Sequence, residues 1–143
     1  MTTDLVFERS AWEAVVTHAR EGAPEEVCGV LAGTREGDRG RVTETRRVPN
    51  VAATPESRYE LDPAEQVRAM DALEDAGHEV LGFYHSHPRG PARPSGVDEA
   101  QATWVGYAYC IVSLADAEPT VGSWRWTGEE EGFVAETVRV QSA

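Results

Sequence analysis

The chain has 143 residues, 41% of them hydrophobic and 8% aromatic, which is length and apolar content enough for one compact domain over residues 1–143 and excludes a disordered polypeptide. Its 25 Asp and Glu against 13 basic residues leave a net charge of −12, a surface that repels nucleic-acid phosphates and anionic lipid, so neither nucleic acid nor membrane is an expected partner. The longest apolar runs, Val80 to Tyr84 and Tyr107 to Leu114, fall far short of the roughly 20 residues of a membrane span, and Met1 to Asp4 is not a basic lead into an apolar stretch, so a cytoplasmic protein is expected.

Leu5 to Phe7 reads as a short strand. Ser10 can cap a helix that sets Trp12, Val15, Val16 and Ala19 on one face, and Gly22 with Pro24 stops it. Val27 to Gly33 reads as a buried strand, followed by a polar turn from Arg35 to Gly40 and a second strand near Val42 to Val48. Asn50 to Arg58 is a loop. Asp62, Pro63 and Glu65 supply an N-cap, a first-turn proline and a capping-box partner for a helix running through Val67, Met70 and Leu73 to Gly77. Val80 to Tyr84, apolar throughout, predicts a central strand covered on both faces. Arg89 to Pro94 is too rich in Pro and Gly for regular structure, and a short helix is expected from Ser95 through Val97, Ala100, Gln101 and Trp104. Three strands follow: Tyr107 to Leu114, Val121 to Trp126 and Phe133 to Val140. This order predicts an α/β domain with a mixed sheet flanked by helices.

The strand at Val80 leads directly into His85-Ser86-His87-Pro88. Alternation along a strand points His85 and His87 to one side and Ser86 to the other. A catalytic zinc site uses three protein ligands and keeps a position open. Asp98, with ten residues between it and His87, can fold back as the third ligand, and Glu26, a carboxylate off the metal, can move the proton. Taken singly, each has an ordinary reading: exposed histidines at a strand end, a capping box in Ser95 to Asp98, a surface glutamate beside Glu25. His18 and His78 have no such company and are expected to be solvated. Cys28 and Cys110 lie in apolar stretches and are expected to be reduced core residues rather than a disulfide.

His85-Ser86-His87-Pro88 followed by Ser95-Gly96-Val97-Asp98 resembles the JAMM (MPN-plus) signature of His-x-His-Pro, six residues, Ser, two residues and Asp, at full spacing. Glu26 to Gly33 is similar to the family's Glu-x-x-Gly-x-Leu-x-Gly strand, and the order of elements between the two segments agrees, so the resemblance spans nearly the whole chain. It implies a cytidine-deaminase-like fold and a metalloprotease cleaving after the C-terminal Gly-Gly of a ubiquitin-like modifier. His85, His87 and Asp98 would ligate one Zn2+, Glu26 would be general base and then acid, and Ser95 would hydrogen-bond the developing oxyanion. Loops Ala52 to Arg58 and Arg89 to Arg93 are the expected contacts with the modifier.

All 13 basic residues are Arg and none is Lys, a composition that resembles proteins of salt-accumulating archaea, although a GC-rich genome would also favour Arg. With a halophilic source, the resemblance within the family is to haloarchaeal desampylases, which release small archaeal modifiers from conjugates. Two alternatives stand beside this: a hydrolase that frees cysteine from a sulfur-carrier protein with the same chemistry, and a non-catalytic scaffold or binding module.

Overall fold

The computed structural model describes residues 3–142. In chain order these form β1 (Asp4–Phe7), α1 (Arg9–Gly22), β2 (Cys28–Glu36), β3 (Arg39–Val48), α2 (Pro63–Asp75), β4 (Glu79–His87), α3 (Gly96–Gln101), β5 (Ala108–Ser113), β6 (Thr120–Trp126) and β7 (Phe133–Val140). The hydrogen-bonded order is β1-β3-β2-β4-β5-β6-β7, and β7 pairs back onto β1. Three pairings are parallel, β1 with β3, β1 with β7 and β4 with β5, so the sheet is mixed, as expected of an α/β domain.

The sheet is also closed, which the sequence did not suggest. Short as it is, β1 offers a partner on both sides, Leu5 facing Gly40 of β3 and Val138 of β7. Strands that would otherwise be exposed edges share it, and closure leaves no free ladder there.

Two cores follow from the two faces. Leu5, Phe7, Leu31, Val42, Leu81, Ala108, Cys110 and Val112 form one cluster, to which Val121, Val138 and Val140 add side chains, so every strand contributes to it. α1 packs Ala11, Val15 and Ala19 into this cluster, with Trp12 partly buried beside them. The second cluster joins Val30, Ala32, Val48, Val80, Phe83 and Tyr109 to Met70 and Leu73 of α2. Each buried Val, Leu, Phe or Met among them removes apolar surface worth about 1.5–3 kcal/mol from water.

Several boundaries differ from expectation for local reasons. α1 begins at Arg9 with Glu8 as N-cap, so Ser10 lies inside the helix and caps nothing. The β2–β3 turn tightens to Gly37 and Asp38, because Gly37 takes φ +57° without a steric cost. α2 starts as expected, Asp62 accepting from the Glu65 N–H. α3 stops at Gln101, and Trp104 lies beyond it, packed on Phe83 and Tyr107. Cys28 and Cys110 are free and buried, as expected. His18 is not solvated: it is partly buried, and its Nδ1 meets the Tyr84 hydroxyl at 2.7 Å.

Candidate metal centre

β4 is central, antiparallel to β2 on one side and parallel to β5 on the other, and it stays extended through His87. Cys28 sits opposite His85 in the β2–β4 register, which brings the residues preceding β2 alongside the end of β4. Gly29 permits this approach. A Cβ there would lie 2.4 Å from the Arg46 carbonyl oxygen and 2.4 Å from the Tyr84 ring. Ser86, on the opposite face from the histidines, accepts from the Val27 N–H at 2.9 Å and pins the residue next to Glu26.

On the other face His85 and His87 converge, their Nε2 atoms 3.2 Å apart. Asp98 Oδ2 meets them at 3.2 Å from His85 and 3.0 Å from His87. Asp98 is brought there by α3. Ser95 Oγ accepts from the Asp98 N–H and the Ser95 N–H donates to Asp98 Oδ2, a capping box that orients the carboxylate while starting the helix. His87 Nδ1 is 2.8 Å from the Pro91 carbonyl, which fixes the ring with its Nε2 facing His85 and Asp98. Glu26 completes the group: one ligand atom from each of Glu26, His85, His87 and Asp98 lies within 4.8 Å of the others, and all four residues are buried.

The four groups differ in electrostatics. Burial lifts the Glu26 carboxyl to about 7, a rise only partly opposed by the His87 imidazole. Burial likewise lowers His85. At His87 burial is outweighed by the hydrogen bonds to Asp98 and Pro91, which raise it. Burial alone would raise Asp98, but the hydrogen bonds from both histidines hold it well below the usual carboxylate range.

These residues fit a metal. Tetrahedral zinc with bonds of about 2.0–2.2 Å sets its ligand atoms about 3.3–3.6 Å apart, and the two Nε2 atoms and Oδ2 form a triangle only slightly tighter than that. Among the described residues Glu26 Oε1 is buried with no hydrogen-bond partner, which a buried carboxylate oxygen tolerates poorly unless it serves a bound group.

The group opens into a cleft of about 360 Å³ lined by Glu26, His87 and Ser95 together with Glu56, Ser57, Arg89 and Arg93. Both loops expected to contact a modifier therefore border the site. A larger hollow, about 490 Å³, lies among Arg39, Arg41 and Arg139, but Arg39 and Arg41 are already paired with Asp4 and Glu8. His78 lies away from the centre, 3.9 Å from Glu44.

Residues 8–127 match the family described as prokaryotic homologs of the JAB domain. The chain belongs to that family. It is 48% identical over 130 residues to a desampylase of Haloferax volcanii, covering 88% of this chain and 90% of the relative. It is 39% identical over 114 residues to a CysO-cysteine peptidase of Mycobacterium tuberculosis, covering 78% and 75%. Among solved structures, a protein from Desulfitobacterium hafniense superposes with a TM-score of 0.86 at 32% identity, covering 97% of this chain and 94% of the other.

Sequence reasoning passed over three residues that the structure ties to this centre. Tyr59 stacks on the His85 ring at 3.9 Å and 15°. Asn50 bonds the Glu26 carbonyl at 2.9 Å. Ser86 pins Val27. A tyrosine and an asparagine in a polar loop have no periodicity to report such contacts. Ser86 carried a hint, being a hydroxyl in an otherwise apolar strand.

Proposed function

We propose that this chain is a zinc-dependent isopeptidase of the JAMM type that cleaves after the C-terminal Gly-Gly of ubiquitin-like modifiers, a desampylase that removes small modifiers from protein conjugates. The observation that carries this reading is the convergence of Glu26, His85, His87 and Asp98, buried and open to one cleft, with Glu26 Oε1 unpartnered. Similarity to the Haloferax volcanii desampylase over most of both chains supports the substrate class.

In this reading His85, His87 and Asp98 hold one zinc ion. Zinc there would supply Lewis acidity, acidifying a nucleophilic water and polarising a carbonyl. Glu26 takes the water's proton and returns it to the leaving amine, a task suited to a carboxyl that burial has moved towards neutrality. Ser95 Oγ accepts from the Asp98 N–H, so its own O–H is free to donate to the carbonyl oxygen as charge develops. His87, anchored by the Pro91 carbonyl, keeps its ring from turning as the cleft fills. A Gly-Gly tail suits the cleft because glycine lets a backbone pass close to the buried groups. Glu56, Ser57, Arg89 and Arg93 are then the contacts for the modifier.

We also assign the cytidine-deaminase-like fold, for which the mixed sheet carrying helices is support. A halophilic source is supported by the net charge of −12 and the absence of Lys. A cytoplasmic setting is supported by the two free, buried thiols. The similarity to a CysO-cysteine peptidase favours one second reading, the release of cysteine from a carrier-protein adduct.

The test is a cleavage assay on a Gly-Gly isopeptide conjugate and on a carrier-cysteine adduct, at high and low salt, with and without chelator. Chelator-sensitive cleavage of the conjugate, strongest at high salt, is expected. Cleavage of the adduct alone selects the second reading, and stoichiometric zinc with cleavage of neither refutes an enzymatic function.

A further inference from the structure

Residues 49–62, between β3 and α2, grip both sides of the metal centre. At their base Asn50 saturates its side-chain amide: Oδ1 accepts from the N–H groups of Ala52 at 3.1 Å and Glu60 at 2.9 Å, and Nδ2 donates to the carbonyls of Arg58 at 3.0 Å and Glu26 at 2.9 Å. The Val51 N–H donates to Glu60 O at 2.9 Å, and Asn50 bridges to Leu61, so the loop is closed at its neck. From the loop's far side Pro55 O accepts the Glu26 N–H at 2.7 Å. Glu26 precedes β2 and lies outside the sheet ladder, so both of its backbone groups are held by this loop. The same loop lays Tyr59, 5% exposed, face to face on His85.

We propose that Asn50 is a positioning residue for the cleavage: its amide ties the loop over residues 49–62 to the Glu26 backbone, and the loop so closed seats Tyr59 on His85, so one clamp sets the proton carrier and a metal ligand together. This rests on the roles given to Glu26 and His85 above. Holding a reacting group within a fraction of an ångström is where such contacts act, and the supporting partners of metal ligands typically matter about 10- to 100-fold.

Asn50→Asp breaks the clamp at its amide. The aspartate keeps both acceptor bonds within the loop but sets an oxygen against the Glu26 and Arg58 carbonyls where Nδ2 had donated. With zinc-loaded enzyme and a Gly-Gly isopeptide conjugate, kcat should fall at least about tenfold while KM stays within about twofold. In the metal-free protein, NMR hydrogen exchange at the Glu26 amide should quicken relative to the Leu31 amide inside β2. Tyr59→Leu should weaken zinc binding about tenfold by chelator competition, and Tyr59→Phe, which keeps the stacked ring, should restore it. Wild-type kcat and wild-type Glu26 exchange in folded Asn50→Asp overturn the proposal, as does a loss confined to KM, which would make the loop a substrate contact. If Asn50→Asp does not fold, Tyr59→Leu decides: unchanged zinc affinity overturns the clamp. An active Glu26→Gln enzyme would instead break the functional reading, whereas inactive Glu26→Gln beside fully active Asn50→Asp breaks the clamp alone.

Discussion

The protein buries charged side chains in two places and treats them differently. Between β5, β6 and β7, Glu136 accepts from the hydroxyls of Thr3 and Ser123, Ser123 in turn receives the Cys110 thiol, and Arg125 faces the carboxylate at 3.7 Å. Arg125 Nη1 donates to the Gly106 carbonyl at 2.7 Å, and although its Nε and Nη2 lack hydrogen bonds among the described residues, the guanidinium stands against the Glu136 side chain. At the end of β4, by contrast, two imidazoles and a carboxylate crowd one point with Glu26 beside them, and Glu26 Oε1 has no hydrogen-bond partner among the described residues. Both clusters cost desolvation. The first sets a carboxylate against two hydroxyls and a guanidinium and serves the fold, whereas the second gathers four groups whose donor set fits the cation proposed above.

Substitutions should separate the two clusters. Glu26→Gln should reduce turnover by at least about 10²–10⁴-fold while zinc content stays at one per chain, checked by a cleavage assay with metal analysis of the same sample; full activity would remove Glu26 from the mechanism. His87→Ala should purify without stoichiometric metal and without activity, yet remain folded by circular dichroism; a fully loaded variant would show that His87 is no ligand. Glu136→Ala should do the reverse, losing about 3 kcal/mol in denaturant unfolding because Arg125 is left without its counter-charge, with zinc affinity unchanged in the folded fraction.

The smallest effect belongs to His18. Burial first and Arg47 second hold it at about 4, below its ordinary 6.5. The folded state then binds fewer protons than the unfolded one between those values, so the contribution of neutral His18 is complete above about 6.5 and is lost as pH falls towards 4. Thermal melts of wild type and His18→Gln should converge across that window from a wild-type advantage near pH 7, and parallel curves would show that His18 does not titrate there.

Much of this was legible before any coordinates. Alternation in His85-Ser86-His87 put both imidazoles on one face, and the Ser95 to Asp98 spacing announced a capping box; the structure sets Asp98 Oδ2, an acceptor in that box, against both imidazoles. The strands read from Val121 to Trp126 and from Phe133 to Val140 lie within one residue of where they were expected. The start of α1 was misplaced, since a serine is a statistical cap and Glu8, extended at φ −64° and ψ 148°, takes the position without any side-chain bond. His18 was misjudged because its partner Tyr84 is 66 positions away.

The division follows from range. Residues within one strand, or within one turn of a helix, are set by covalent spacing and dihedral preference, so His85 could be related to His87, and Ser95 to Asp98, from the chain alone. Closure of the sheet through β1, the meeting of Glu26 with the end of β4, and the grip of Asn50 and Tyr59 on that meeting depend on hydrogen bonds and stacking between segments 24 or more positions apart. No local pattern encodes these contacts, because the groups that make them, a carbonyl, an amide and an aromatic face, occur throughout the chain and gain a particular partner only when the strands are in register.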